Sequence, residues 1–592
     1  MNNGVDQKDH LAREYSDWEL FKRLMSYTKP HIYVFFTALL AMFLSTFLSV
    51  LQPLILAIAI DDYILAGNLN GLGSISLIYL LVGIVSFSLN VVASYYTTLT
   101  GIRIITKIRQ EGFYKLQDLS MDFYDREAVG RIISRITNDV ERLLNLLSTG
   151  VIDAIVNVMF LGLLFFILIY LDLKLTLTVF LIFPFLAAST VFFRIKARTA
   201  WQKTRRALAK VTGYYQEAIS GIYVSKAFAV EDFMTKEFQE LNLENYLARI
   251  RALTIFAVMF PIMDIILAFG TALVLFVGGV AVGTSSLSVG VLVAFLSYLT
   301  RLAQPIMTLS NFYNNLLSSM AATERIFDIL DRNPSVVSRD NKVLKSVNGS
   351  IEFKNLNFSY TPDTEPVLKD FNLKIDAKKT FAFVGHTGAG KTTITNLLCR
   401  FYDFTQGEIL LDGTDIRDLD LKKYRDWIAI IPQDSFLFSG TIRENLRFGS
   451  PTVSDEDIEK ALLKVGAFDF VMSKGFDFQV GERGTRLSMG ERQLLCFARA
   501  IISDPQILIL DEATSSIDAH TELVIQQSLH NILKDRTSII IAHRLSTVRM
   551  VDRIIVLEAG KIEEKGTFEE LIEKEGIFAD LYKRQFTMKH SK

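Results

Sequence analysis

Three observations predict a multidomain fold, an all-α six-helix transmembrane domain followed by an α/β domain. Six long apolar runs fill the first half, the texture changes over residues 318–348, and short apolar runs then alternate with helical patterns. A chain of 592 residues exceeds a single compact core, because such cores stop growing near ~250–300 residues. Apolar residues make up 50% of it, 44 of them Phe, and the mean hydropathy of +0.29 is more than a soluble core requires.

Charge and cysteine content exclude several classes. A formal net charge of −1 gives no reason to expect nucleic acid as a partner. Cys399 and Cys496 show neither Cys-x-x-Cys nor Cys/His spacing, so a disulfide framework or zinc site is not expected. They read as small core hydrophobes in a reducing compartment. Residues 1–30 are polar and mixed in charge, without the apolar core of a signal peptide, and read as a cytoplasmic segment.

The transmembrane domain is expected over residues 31–318. Its apolar runs lie at 32–56, 74–99, 151–171, 175–193, 254–282 and 287–305. Each can cross a hydrocarbon core of ~30 Å, which takes about 20 helical residues. Basic residues cluster between the second and third runs, from Arg103 to Arg142, and between the fourth and fifth, from Arg194 to Lys210. The segments at 61–72 and 283–286 carry no Lys or Arg. Cytoplasmic flanks of membrane helices hold the basic excess, so both termini are expected in the cytoplasm. Helical periodicity continues through 106–119 and 207–229, which predicts helices that project well beyond the bilayer.

Residues 319–348 read as a linker and 349–592 as the α/β domain. Short apolar runs at 381–384, 428–431, 507–510, 538–542 and 553–557 predict strands of a mostly parallel, helix-covered sheet. After the first of these comes Gly385-His386-Thr387-Gly388-Ala389-Gly390-Lys391-Thr392, with Thr393 next, opening a helix. Glycines there let backbone N–H groups wrap phosphates. Lys391 would reach the outer phosphates, and the Thr392 hydroxyl would meet Mg²⁺. The motif makes this an α/β P-loop nucleotide-binding domain. The run at 507–510 delivers Asp511 and Glu512 at a strand's carboxyl end, where ligands of open sheets bind. Asp511 suits Mg²⁺, and Glu512 suits a general base for an attacking water.

The ordered set Tyr360, 385–392, Gln433, Leu487-Ser488-Met489-Gly490-Glu491, Asp511-Glu512, 515–518 and His543 resembles the ATP-binding cassette of ABC transporters. With the six-span half, nearly the whole chain resembles an ABC exporter half-transporter. The resemblance implies ATP and Mg²⁺ as cofactors and ATPase activity coupled to translocation. It implies that Tyr360 stacks on adenine, Gln433 joins the Mg²⁺ and water site, His543 holds the γ-phosphate, and Asp518 contacts a partner cassette. Ser488 and Gly490 would contact the partner's γ-phosphate, so a dimer is implied. Phe123 to Gly130, Ser134, Arg135 and Asp139, then Glu217 to Gly221, Lys226 and Glu231, resemble the loops that dock on cassettes.

One departure bears on the partner. The family commonly has Leu-Ser-Gly-Gly-Gln where this chain has Leu-Ser-Met-Gly-Glu. Met489 adds bulk and Glu491 adds a carboxylate near an anionic ligand. Asymmetric exporters pair such a chain with a different one, so a heterodimer is favoured over a homodimer. The expected cargo is hydrophobic or amphipathic, a drug-like compound, lipid or peptide, and a lipid flippase shares every motif. Asp264, an acid inside a span, is a candidate contact for a cationic cargo, with a helix-capping or interfacial position as the alternative. Membrane lipids are the implied surroundings, in a bacterial inner membrane.

Overall fold

The computed structural model describes residues 16–361, 364–511, 519–542 and 545–590. The chain divides into two compact units, the first Met1–Gln117 with Gly130–Asp331 and the second Asp118–Val129 with Arg332–Lys592.

Among the described residues the first unit has helices and no strand. It opens with α1 (Asp17–Ser26), which Ser16 and Glu19 close with a reciprocal capping box. Its Leu20 and Leu24 are buried in one cluster with Ile326 and Phe327. Then come α2 (Ile32–Ile58) and α3 (Leu69–Asp118), and α4 (Met121–Arg126) belongs to the second unit. Short helical and π-helical turns lead from residue 129 to α5 (Val151–Leu171). There follow α6 (Leu173–Ser220), α7 (Ile222–Phe228), α8 (Glu231–Gly283), α9 (Val289–Thr300) and α10 (Ala303–Asp331). Asp172 caps α6 by accepting from the Leu175 N–H at 2.8 Å, and Ser288 caps α9.

Among the described residues, six stretches are long and apolar enough to span a membrane: Lys29–Leu65, Asn70–Asp118, Val129–Leu171, Leu173–Ser220, Glu231–Gly283 and Val289–Asp331. They contain five of the six runs expected from sequence, and the sixth, 287–305, but for its first two residues. Long helices do run beyond the apolar runs, as the periodicity of 106–119 and 207–229 requires. Outward Phe87, Phe166 and Phe276, each more than two-thirds exposed, suit a hydrocarbon solvent rather than water. Inside the bundle, the Tyr298 hydroxyl donates to the Val50 carbonyl at 2.6 Å. Arg325 grips buried Asp139 with bonds of 2.7 and 2.9 Å. The stretch 319–348 departs from the linker reading. The helix continues to Asp331 because Met320, Ala322, Ile326, Phe327 and Ile329 are buried at helical spacing.

Among its described residues the second unit holds two sheets. One has the order β2 (Leu368–Ile375), β1 (Ile351–Phe358), β4 (Gln406–Leu411), β5 (Thr414–Asp415), all antiparallel. The other has the order β10 (Lys561–Gly566), β9 (Arg553–Glu558), β3 (Thr380–Gly385), β8 (Thr537–Ile541), β7 (Ile507–Asp511), β6 (Ile428–Ile431). In it β9, β3, β8, β7 and β6 run parallel, and they are the five strands read from the sequence. Phe353, Phe371, Phe383 and Ile394 share the core that joins the two sheets. A second core packs Leu462, Leu494, Phe497 and Leu508 under α12 (Met489–Ile502). Both cysteines are free and buried, and burial pushes the Cys399 thiol up to about 12.

Candidate functional site

Parallel strands put their carboxyl ends on one edge of the sheet, and ligands of such sheets bind outside that edge. Gly385 ends β3, Asp511 ends β7, and Gln433 follows β6, so the topology gathers three predicted site residues on one edge.

At β3 the chain must turn under tight sterics. Gly385 has φ +154°, and a Cβ there would lie 2.2 Å from the Leu557 carbonyl oxygen, so only glycine fits. The tip, His386, Thr387 and Gly388, is exposed, while Ala389 is buried. Gly390, in the left-handed region at φ +100°, is the N-cap of the next helix, α11 (Lys391–Leu398). The N-terminal N–H groups of that helix form an anion-binding end.

Lys391 is 6% exposed and its Nζ donates to the carbonyls of Gly385 at 2.8 Å and His386 at 2.9 Å. Burial pushes this ammonium below the ordinary lysine range, and the neighbouring Asp511 carboxylate offsets part of that. A buried cation beneath a glycine loop and beside a carboxylate is the donor set that outer phosphates and a hard divalent ion require. The exposed Thr392 and Gln433 side chains add oxygen donors, so the residues present fit Mg²⁺.

An aromatic wall stands beside the loop. The Tyr360 hydroxyl donates to Thr393 Oγ1 at 3.1 Å and accepts from Asn396 at 3.3 Å, while the ring stays 38% exposed. Thr393 is therefore brought to Tyr360, with its hydroxyl engaged there. Tyr402 packs edge-on to the Tyr360 ring at 5.0 Å, and its hydroxyl donates to Asp125 of α4. The Asp122 carboxylate of α4 accepts from the Ser335 hydroxyl at 2.9 Å, and Arg332 covers the buried Phe123 ring at 5.1 Å. In this unit, then, α4 is bonded to the aromatic wall.

The signature loop shows what the sequence departure does. Ser488 caps α12, its Oγ accepting from the Glu491 N–H at 3.2 Å, and Glu491 accepts from the Ser488 N–H at 2.8 Å. Lys474 pairs with the same carboxylate at 3.4 Å. Met489 presents an exposed side chain, and Gly490 is buried. The loop carboxylate is thus a cap and half of an ion pair.

Glu512, Asp518 and His543 lie outside the described residues. Asp264 is exposed on its span, and among the described residues none is hydrogen-bonded to its carboxylate.

Residues 35–306 match the family described as the ABC transporter transmembrane region, and residues 368–515 the family described as ABC transporter. A Bacillus subtilis (strain 168) chain, YknV, named an uncharacterized ABC transporter ATP-binding protein, is 39% identical over 98% of this chain and 96% of that one. The chain belongs to the ABC transporter family.

Two other relatives carry functional names. An ATP-dependent lipid A-core flippase of Syntrophus aciditrophicus (strain SB) is 35% identical over 96% of this chain and 95% of that one. A Staphylococcus aureus (strain NCTC 8325) ATP-binding/permease protein, provisionally named for multidrug export, is 36% identical over 96% and 100%. The ABC transporter chain is accordingly an integral membrane protein with an ATP-binding domain at its second unit.

Tyr402 and Lys474 contribute to this ABC transporter's site region in ways that sequence reading did not assign, and Tyr402 is the partner of Asp125. Lys474 carries a direct prediction. Lys474→Gln leaves the Glu491 charge without its partner, and the Mg·ATP concentration for half-maximal turnover should rise several-fold in nanodiscs, as for loss of a partly buried pair. The double variant Lys474→Gln/Glu491→Gln should restore it. Equal values in all three proteins would show that the pair is inert.

Proposed function

We propose that the chain is one half of a dimeric exporter that uses ATP hydrolysis to move a hydrophobic or amphipathic compound across a membrane by alternating access. The observation that carries this reading is the buried Lys391 under the glycine loop and beside Asp511, in one chain with six membrane spans. In it Tyr360 stacks on adenine, Lys391 holds the outer phosphates, and Thr392, Asp511 and Gln433 hold Mg²⁺, which when bound neutralises phosphate charge. Glu512 is the general base, His543 holds the γ-phosphate, and Asp518, Ser488 and Gly490 meet the partner cassette.

A ligand drives a switch only if it binds one state better than the other, and nucleotide sandwiched between two cassettes meets that condition. The bonds from α4 to Ser335 and Tyr402, and from its N-cap Ser120 to Val336, support transmission, since α4 follows α3 directly in sequence. The basic clusters at 103–142 and 194–210 support a cytoplasmic placement of both termini. The plasma membrane of a bacterium is the proposed site. Asp264, exposed on its span, is a proposed cargo contact.

The partner we propose is a related half-transporter, because exposed Met489 adds bulk to the surface that would meet a second nucleotide. A homodimer is the second reading, favoured by the engagement of Glu491 with Ser488 and Lys474. The test is tandem-affinity purification into nanodiscs with mass photometry. The heterodimer predicts a two-cassette particle containing a second, different chain. A stable particle of two copies that hydrolyses ATP at both sites overturns it.

A further inference from the structure

One cavity of the helical unit concentrates charge of a single sign. A cavity of about 670 Å³ opens between α6 and α8. Five cations line it, Lys196, Lys203, Arg206, Lys210 and Arg251, against the one carboxylate of Glu244. Lys210 already satisfies Glu244, donating to both its oxygens at 2.8 Å. Lys196 lies over the Phe192 ring at 4.6 Å. Among the described residues, no carboxylate pairs with Lys203, Arg206 or Arg251.

The position of these three is fixed by the helices. The Thr204 hydroxyl donates to the Ala248 carbonyl at 3.2 Å across the pair, which sets Lys203 and Arg251 near one level with Arg206 within a helical turn. Arg251 precedes the apolar run at 254–282 by less than one turn, and Lys196 follows the run at 175–193 by the same margin. The remaining wall is apolar but for Thr199, with Ile195, Ala200, Ala207, Leu247 and Ile255. An uncompensated cationic pocket with an apolar wall, adjoining two membrane spans, matches the amphiphile that a bilayer supplies there. Each cation near an anionic surface adds attraction, and water-soluble anions gain nothing from the apolar wall.

We propose that this cavity binds the headgroup of an anionic phospholipid, with Lys203, Arg206 and Arg251 holding the phosphate. The site is separate from the ATP site and rests only on the spans crossing a membrane.

The test uses the full chain in nanodiscs of phosphatidylcholine with one-fifth phosphatidylglycerol, with retained lipid counted by native mass spectrometry. The parent should retain phosphatidylglycerol preferentially. Lys203→Gln/Arg206→Gln/Arg251→Gln should weaken that retention by on the order of 10-fold or more, while Lys354→Gln/Lys374→Gln, exposed cations of the other unit, should leave it unchanged. Should the triple variant fail to accumulate, Arg206→Gln and Arg251→Gln singly should each show a several-fold loss. Unchanged retention in these variants overturns the proposal. So does a loss of dimer mass with retention unchanged, which would assign the face to a second copy of the chain.

Discussion

Lys391→Ala is expected to abolish nucleotide binding, lowering ATP affinity and turnover by at least about 10²-fold. The Lys391 Nζ is the buried cation of the site, donating to the Gly385 and His386 carbonyls and facing the Asp511 carboxylate. Removing it takes away the cation that attracts the outer phosphates and sits beside the Asp511 carboxylate. Lys391→Arg should not rescue, because the planar guanidinium needs a wider fork than a loop closed by Gly385 allows. Isothermal titration with Mg·ATP on the nanodisc-embedded protein gives the affinity, and affinity within twofold of the parent would contradict this role.

Lys391 was legible because its meaning is local. A strand, a glycine turn and a helix follow one another in sequence, so the loop could be read without knowing the fold. The parallel strands were legible for the same reason, since Ile507, Leu508, Ile509 and Leu510 form an unbroken run and are buried in the central sheet. The antiparallel sheet was not. β1 carries Lys354, Asn355 and Asn357 within eight residues, and its register with both neighbours shifts at those positions. Asn355 and Asp370 take left-handed backbone there, which destroys the alternation of apolar and polar residues that marks a strand.

Long-range partners were equally hidden. Tyr402 and Asp125 lie 277 positions apart, and nothing in their spacing joins them. Lys474 was hidden in the same way: the sequence shows Glu491 as a carboxylate in place of an amide, and the structure adds the Lys474 pair beside the local Ser488 cap. The last helix outran its predicted end because Ser318 and Ser319 look like a linker, whereas Ser319 is buried and donates to the Arg142 carbonyl at 3.2 Å.

Glu512→Gln carries the other large effect, and the opposite signature. The residue follows Asp511, the last residue of β7, and a carboxylate there can take the proton of an attacking water. The amide keeps its size and loses the base, so turnover should fall by about 10²–10³-fold, within the range of general-base catalysis. Nucleotide affinity should remain close to that of the parent, unlike Lys391→Ala. The pair of variants therefore separates holding ATP from hydrolysing it.

The most direct test of ATP-driven action is ATP turnover by the assembly in lipid nanodiscs, purified with whatever chain accompanies it, beside the same assembly carrying Glu512→Gln. Saturable Mg·ATP turnover in the parent, lost in Glu512→Gln with binding retained, is the predicted result. A stable two-cassette particle that does not hydrolyse ATP, or a Glu512→Gln assembly that turns over like the parent, would contradict it.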